Sequence, residues 1–253
     1  MNQLHSIWGI NFFLSDLDGY FLHLDSILSD KDKIVLTGIN PYSLSIVKKN
    51  PIMLDALQIT TIANVDGILL KFSLQLMGYN VPARLDTPSL FYRLMDLCAR
   101  KKLRIFLLGS HSEDMPIITS TLLDSYPGII ISGSHHGFFD KDDEKEIIDK
   151  INKCKSDVLI LGMPSPKKEV FVYDNLKKLN IKLSLGVGGV FDILAGKKKP
   201  APSMIKKLNI EWLYRFVQEP VRLFQRYKDM FVYFTWFIFA NRKKVQPYST
   251  KPT

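Results

Sequence analysis

Short apolar runs alternate with amphipathic segments along the first 196 residues of the chain. The runs are rich in Ile, Leu and Val, and most of them end at Gly or Asn, which is typical of buried strands. The segments between them repeat apolar residues at helical spacing, as Leu90, Leu94 and Leu97 do within Pro88–Lys102. The predicted strands are Lys33–Thr37, Leu57–Ala63, Arg104–Leu108, Ile129–Ile131, Asp157–Leu161 and Lys182–Leu185.

This alternation predicts an α/β fold, with a Rossmann-like, mostly parallel sheet and helices on both faces. A composition break at Lys197–Pro202 marks the end of that domain. Beyond the break every segment has a helical pattern, namely Ser203–Asn209, Glu211–Lys228 and Met230–Lys244. We therefore predict an α/β domain over residues 1–196, followed by an all-helical C-terminal appendage over residues 197–253.

The net charge of +9 is concentrated in that appendage. Residues 197–253 hold 13 basic and 3 acidic side chains, whereas the first 196 residues are close to neutral. At 100° per residue, Arg215, Arg222 and Arg226 fall within about a 60° sector of one helix. An arginine stripe beside apolar residues suits a pyrophosphate or anionic lipid headgroups. We therefore expect these arginines to contact a diphosphate or an anionic membrane surface.

Several other classes of protein are not supported. Cys98 and Cys154 lie in apolar stretches without C-x-x-C spacing, so neither a disulfide framework nor a zinc site is expected. The N-terminus lacks the basic region and cleavage site of a signal peptide. The longest charge-free apolar run, Met230–Ala240, would reach only about 16 Å as a helix, roughly half of a hydrocarbon core. No aromatic-stacking sheet motif accompanies the basic residues, so nucleic acid is not the expected partner.

Glycines and small polar residues follow the predicted strands, where they would line one edge of a parallel sheet. Backbone N–H groups and helix N-termini at such an edge suit a phosphate or diphosphate. Asp66 follows an apolar strand and can act there as a general base; the alternative is that it caps the next helix. The strand-end candidates for substrate binding are Asn40, Asn64, Gly109, Ser110, Gly186 and Gly188.

Two further groups are candidates for contact with an anion. Arg84 stands among Pro and Leu neighbours, where a guanidinium either binds phosphate or carboxylate oxygens or forms a structural salt bridge. Lys168 and Glu169 lie in the first turn of a predicted helix, after the strand Asp157–Leu161. Lys167 and Lys168 there oppose the helix dipole and favour a nearby anion; the alternative is two solvated lysines.

Taken in order, these motifs resemble the WecG/TagA/CpsF family of bacterial glycosyltransferases over nearly the whole chain. Two positions depart from the family pattern: Lys168 replaces a Gln, and Pro200 replaces an Arg. The matching segments are Gly38-Ile39-Asn40-Pro41; Asn64-Val65-Asp66-Gly67, like the family's N-A-D-G; Arg84; residues 136–139, like its H-G-Y-F; residues 165–169, like its P-K-Q-E; residues 186–192 and 195–196, like its G-V-G-G-x-F-D and A-G; and Ala201-Pro202 and residues 211–227, like its A-P and E-W-L-Y-R motifs.

The resemblance implies an inverting, metal-independent transferase, similar to N-acetylmannosaminyltransferases. It would move a sugar from a UDP-sugar to a polyprenyl-diphosphate-linked acceptor sugar in bacterial cell-surface polysaccharide synthesis. Asp66 would be the catalytic base, and Asp192 joins the substrate-binding candidates. No cofactor and no metal are expected, and the UDP-sugar is the donor substrate. The enzyme would be cytoplasmic and peripherally attached to the inner face of the cell membrane; a homo-oligomer is compatible with the sequence, which does not indicate the oligomeric state.

Two other functions stay open on the sequence. Asp16-Leu17-Asp18 matches the short D-x-D pattern that holds a divalent metal and a sugar nucleotide in many glycosyltransferases, which would make the enzyme metal-dependent. Alternatively, the basic appendage belongs to a non-catalytic module that binds an anionic polymer.

Overall fold

The structure is a computed structural model that describes residues 3–30, 32–202, 204–205 and 211–241. For Arg215, Arg222, Gln225, Arg226 and Asn241 it describes the backbone alone. The strands are β1 (Leu4–Ile7), β2 (Ile10–Phe13), β3 (Ile34–Ile39), β4 (Ile62–Val65), β5 (Arg104–Gly109), β6 (Ile130–His135), β7 (Val158–Gly162) and β8 (Leu183–Gly186).

The strands form one sheet in the order β1-β2-β4-β3-β8-β7-β5-β6, in which the β1–β2 pair is antiparallel and the others are parallel. The helices are α1 (Leu17–Ile27), α2 (Pro41–Ile46), α3 (Ile52–Gln58), α4 (Ile68–Leu76), α5 (Thr87–Lys101), α6 (Asp114–Ser125), α7 (Glu144–Lys153), α8 (Lys167–Asn175), α9 (Val190–Leu194), α10 (Glu211–Gln218) and α11 (Pro220–Asn241).

Helices cover both faces of the sheet, which confirms the predicted fold class. In β7, Val158 and Ile160 point into a core shared with α1, α5, α6 and α9. The alternate residues Leu159 and Leu161 point to the other face, into a core with α7 and α8. A third core, on the same face as α7 and α8, joins α2, α3, α4 and α11 to the β2–β4–β3 end of the sheet. Strands buried on both faces need continuous apolar sequence, which explains the runs.

The carboxyl ends of the parallel strands lie at one edge of the sheet. Gly109 pairs in register with Gly162, and Gly186 pairs with Leu161 of β7 and Thr37 of β3. The predicted crevice edge is therefore formed by neighbouring strands.

Some boundaries differ from the prediction. Leu57 belongs to α3 rather than to a strand, because with Met53 it forms the buried side of that helix. The pattern also missed β1, β2 and α1, and it missed α9, whose five residues are too few to show helical periodicity.

The predicted helices Glu211–Lys228 and Met230–Lys244 are divided at a different place: α10 ends at Gln218, and α11 runs from Pro220 to Asn241 through the predicted break before Met230. The Tyr227 hydroxyl donates to the carbonyl oxygen of Trp212 at 3.0 Å. Fifteen residues of straight helix would separate the two by about 22 Å, so the chain reverses between α10 and α11, at Pro220. The predicted single arginine stripe is therefore wrong: Arg215 lies on α10, whereas Arg222 and Arg226 lie on α11. Apart from residues 204–205, the predicted helix Ser203–Asn209 lies outside the described residues.

Helix α11 packs along α2 and against the end of the sheet. Phe234 and Phe237 are buried, and the ring centroid of Phe237 lies 5.2 Å from that of Trp8. Lys49 in the turn after α2 forms an ion pair of 2.6 Å with Asp229. Within the described part of the chain, no helix has both the length and the apolar character required to cross a membrane.

The buried ring of Phe237 should hold α11 in place. Phe237→Ala is expected to lower the free energy of unfolding by about 3–5 kcal/mol, because it removes a fully buried aromatic side chain. Phe239→Ala is the matched control, since this ring on the same helix is 63% exposed and should change stability by no more than about 0.5 kcal/mol. Urea unfolding measures both; equal losses for the two variants would contradict the packing described.

Candidate active site

Asp66 lies directly after β4, at the carboxyl edge of the sheet. Its backbone N–H donates to the carbonyl oxygen of Ile39 in the neighbouring strand at 2.8 Å. Its carboxylate oxygen Oδ2 accepts a hydrogen bond of 2.9 Å from the hydroxyl of Thr87. The cap position of α4 is occupied instead by Gly67, which has a φ of 107° and no side chain. The alternative prediction that Asp66 caps α4 is therefore wrong.

Thr87 reaches this carboxylate because β3 has no side chain at Gly38. A Cβ on Gly38 would lie 2.1 Å from the Thr87 hydroxyl oxygen, so a larger residue would displace the threonine. The segment before Thr87 is also held to β4, because the Asn64 side-chain amide donates to the carbonyl oxygen of Leu85 at 2.6 Å. Asn64 is fully buried. Its side chain braces the segment that leads to Thr87, and its role as a substrate ligand stays a prediction.

Arg84 lies shortly before α5, and its side chain contacts the appendage. Its guanidinium forms an ion pair of 3.0 Å with Glu211, the first residue of α10, and lies 3.9 Å from Asp86. Burial by itself would lower the pKa of Arg84, but the hydrogen bond and charge of Glu211, with the charges of Asp66 and Asp86, raise it above its usual value. Arg84 therefore forms the structural salt bridge that was one of its two predicted roles. Its guanidinium is also close enough to Asp66 to interact with the charge of that carboxylate.

Asn40 caps α2. Its Oδ1 accepts from the Ser43 backbone N–H at 2.9 Å, and the Ser43 hydroxyl accepts from the Asn40 N–H at 3.0 Å. This reciprocal capping box engages the side chain that was predicted to bind substrate. A Cβ on Gly67 would come within 3.8 Å of Asn40 Cβ, so the cap forms the wall beside the loop that carries Asp66.

A second part of the edge is built from glycines. A Cβ on Gly109 would lie 2.5 Å from the carbonyl carbon of Gly162, so β5 and β7 approach each other closely where they end. Ser110 and Gly188 have φ of 53° and 52°, and they turn the chain after β5 and shortly after β8. We call the edge formed by Gly109, Ser110, Gly162, Gly186 and Gly188 the glycine cleft.

Lys168 crosses the glycine cleft at β8. Its aliphatic stem lies against Gly186, where a Cβ would be 2.9 Å from the lysine Cε. Its ammonium contacts the Ser165 hydroxyl and Oε1 of Glu169, whose side chain is 3% exposed. The lysine side chain itself is only 13% exposed, so the solvated alternative is wrong. The anion that was predicted beside Lys168 is the carboxylate of Glu169. The lysine stem of this pair lies against Gly186 of the glycine cleft.

Asp114 and Asp192 anchor the beginning of the appendage to the glycine cleft. Asp114 accepts hydrogen bonds from the Ser110 hydroxyl at 2.5 Å and from Lys197 Nζ at 2.8 Å. Burial would raise the pKa of Asp114, but bonds from Lys197, Ser110 and a backbone N–H lower it below its usual value. Asp192 forms an ion pair of 2.7 Å with Lys198. Two residues predicted to bind substrate therefore take part in holding the appendage: Ser110 through Asp114, which binds Lys197, and Asp192 through Lys198.

The two parts of the edge lie at different distances from Asp66. Strands are spaced about 4.8 Å apart, so Gly186 in β8, two strands from β4, is roughly 10 Å away. Gly109 in β5, four strands from β4, is roughly 19 Å away. The structure therefore brings Asp66 together with Thr87 and Arg84, but it does not bring Gly109 and Ser110 into contact with them.

The D-x-D segment has ordinary structural partners. Asp16 caps α1, since its carboxylate accepts from the Gly19 N–H at 2.8 Å. Asp18 is 83% exposed and lies 3.6 Å from Arg93. Among the residues that the structure describes, no three His, Cys, Asp or Glu side chains are grouped so that they could hold a metal ion.

The side chains of Arg215, Arg222 and Arg226 lie outside the described residues, so their contact with a diphosphate or a membrane stays a prediction.

Sequence reasoning missed Thr87 and Glu211 as parts of the site. Both belong to segments distant in sequence from Asp66; the packing of α5 brings Thr87 to Asp66, and the packing of α10 brings Glu211 to Arg84. It also missed the stacked rings of His111 and Phe138, whose centroids are 4.1 Å apart; Phe138 is 63% exposed near the glycine cleft. The available signals were the Gly-Ser turn before His111 and the place of Phe138 in the segment that resembles the family's H-G-Y-F.

A parallel sheet with an acid and an arginine at its carboxyl edge suits a group-transfer enzyme, and similarity to known proteins identifies the class of transferase. The family model described as "Glycosyl transferase WecG/TagA/CpsF family" matches residues 5–247. The chain belongs to this family and is a glycosyltransferase.

The chain is similar to three proteins named N-acetylglucosaminyldiphosphoundecaprenol N-acetyl-beta-D-mannosaminyltransferase. The protein of Bacillus spizizenii strain W23 is 26% identical over 249 residues, 98% of this chain and 96% of the relative. That of Bacillus subtilis strain 168 is 27% identical over 221 residues, covering 87% and 86%. That of Staphylococcus aureus strain MRSA252 is 36% identical over 126 residues, covering 48% and 49%.

The pair Arg84–Glu211 should couple the appendage to the site energetically. Arg84→Met and Glu211→Gln are each expected to lower the free energy of unfolding by about 1–3 kcal/mol, because each leaves a poorly solvated charge without its partner. The double variant should lose less than the sum of the two. A double-mutant cycle by urea unfolding measures this. The matched control is Lys49–Asp229, a pair of more exposed residues whose coupling should fall within experimental error; additive effects at Arg84 and Glu211 would refute the coupling.

Proposed function

We propose that the enzyme is an inverting glycosyltransferase that moves a sugar from a UDP-sugar to a polyprenyl-diphosphate-linked acceptor sugar during cell-surface polysaccharide synthesis. The relatives, whose names specify a GlcNAc-diphosphoundecaprenol acceptor, support the acceptor class. The observation that carries the chemistry is the Asp66 carboxylate at the sheet edge, which is held by Thr87 and has Arg84 beside it.

In the proposed reaction, Asp66 accepts the proton of the acceptor hydroxyl. The hydroxyl oxygen bonds to the anomeric carbon of the donor while the bond from that carbon to the diphosphate breaks, so the configuration inverts in one displacement. One carboxylate on the acceptor side is sufficient for this step. The Thr87 hydroxyl donates to Oδ2, which restrains the rotation of the carboxylate and aims it at the acceptor.

The leaving diphosphate gains negative charge, which positive groups must stabilise. In this proposal Arg84 and the backbone N–H groups of the glycine cleft supply that stabilisation without a metal ion. The nucleotide would extend from Asp66 along the glycine cleft towards His111 and Phe138. Stacked, exposed rings offer a platform for a base, since base–aromatic stacking contributes about 1–3 kcal/mol.

The acceptor lipid requires that the enzyme work at a membrane. Exposed apolar side chains accumulate on the appendage: Trp212, Val217, Val221, Phe224, Phe231, Val232, Trp236 and Phe239. Together with the basic residues of the appendage, they are suited to dock on an anionic leaflet. We therefore propose peripheral attachment to the inner face of the cell membrane through α10 and α11.

The test is a UDP-release assay with a lipid-diphosphate-GlcNAc acceptor and a set of UDP-sugars, because Lys168 in place of the family's Gln leaves the donor to be identified. The wild type should release UDP with one of these donors, and release should persist in EDTA. A wild type inactive with every donor, or one inactivated by EDTA, would reject the proposal as stated.

Asp66→Asn should reduce turnover roughly 10²- to 10⁴-fold while UDP still binds, because the amide cannot take the proton. Asp18→Asn is the matched control and should turn over like the wild type, since Asp18 lies on the surface of α1. Turnover and UDP affinity are measured by the same assay and by calorimetry. A normal rate for Asp66→Asn would remove it as the base, and loss of activity in Asp18→Asn would favour the D-x-D alternative.

A further inference from the structure

Helix α4 carries an exposed apolar stripe that no part of the proposed reaction uses. Ile68, Phe72 and Leu76 follow one another at four-residue spacing, within about an 80° sector of the helix. Phe72 is 55% exposed and Leu76 is 89% exposed, whereas Leu70 and Leu74 on the other side are buried. The helix therefore has apolar residues on both its packed side and its outer side.

This stripe starts at the candidate active site. Helix α4 begins directly after Asp66 and Gly67, so Ile68 is two residues from the proposed base. From Ile68 to Leu76 the stripe runs about 12 Å away from the sheet edge, at about 1.5 Å per residue. An elongated apolar group that starts at the site would lie along it.

The chemistry of the stripe differs from that of a surface for lipid headgroups. Such a surface combines apolar residues with several cations, as the appendage does. The one basic residue of α4 is Lys71, and its ammonium donates to the carbonyl oxygen of Pro82 at 3.3 Å. The stripe thus offers hydrocarbon contact with little charge, which suits a lipid chain better than an anionic leaflet.

We propose that the isoprenoid chain of the lipid-linked acceptor binds along Ile68, Phe72 and Leu76, with its diphosphate at the sheet edge. This inference rests on the proposed function, because it needs a polyprenyl acceptor. The chain contact would place the acceptor sugar next to Asp66 before transfer, and it would make the enzyme select acceptors by lipid as well as by sugar.

The test compares two GlcNAc-diphosphate acceptors in detergent, one with a long polyprenyl chain and one with a short alkyl chain. The variants are Phe72→Gln and Leu76→Gln, which keep a good helix former at exposed positions. Each should raise KM for the long-chain acceptor roughly tenfold, as expected when one apolar side chain loses its burial. KM for the short-chain acceptor and kcat for both should stay unchanged. Leu22→Gln on α1, where Leu22 is 74% exposed, is the matched control and should change nothing.

A second readout does not depend on transfer. A photoreactive polyprenyl diphosphate without a sugar should label residues 68–76 in the wild type and label Phe72→Gln and Leu76→Gln much less. If the wild type transfers sugar to neither acceptor, the proposed function fails, and the labelling still decides whether this lipid site exists.

Three outcomes would overturn the lipid-chain site. Equal KM increases for both acceptors would mean that the variants act through Asp66. Loss of binding to anionic vesicles without a chain-length effect would assign the stripe to the bilayer. A smaller oligomer in solution for the variants than for the wild type would assign it to a second copy of the chain.

Discussion

The hydrogen bond from Thr87 to Asp66 is the contact on which the proposed chemistry depends. A strand-end carboxylate alone can rotate and face solvent, whereas a carboxylate with one oxygen held has a defined direction. The bond exists because Gly38 leaves room above β3 and because Asn64, buried beneath, holds the segment that leads to Thr87. Three neighbouring elements, β3, β4 and α5, thus determine the position of one functional group.

The appendage extends this arrangement. Glu211 at the start of α10 contacts Arg84, while Lys197 and Lys198 contact Asp114 and Asp192 beside the glycine cleft. Helix α11 packs on α2 at the other end of the sheet. The segment that we propose to dock on a membrane is therefore in contact with the candidate active site, so the proposed attachment would be coupled to the position of Arg84.

The alternating sheet and helix layers could be predicted because buried parallel strands require continuous apolar runs that period analysis detects. Asp66 and Arg84 were predicted from their places after a strand and between apolar neighbours. Thr87 and Glu211 were not predicted as parts of the site, because tertiary packing alone brings Thr87 to Asp66 and Glu211 to Arg84. The reversal of the chain at Pro220 was not predicted, because the helical spacing of apolar residues continues through Pro220 in the sequence. Asn40 and Asn64 were placed at the right edge, but capping and bracing engage their side chains.

The most direct measurement of the central claim is the rate of sugar transfer by Thr87→Val and Thr87→Ser under saturating substrates. Valine has the shape of threonine but donates no hydrogen bond, so we expect kcat to fall roughly tenfold or more while UDP affinity stays the same. Serine restores the donor, and its kcat should return close to that of the wild type. A wild-type rate for Thr87→Val, or a serine variant as slow as the valine variant, would contradict the claim that this hydrogen bond positions Asp66.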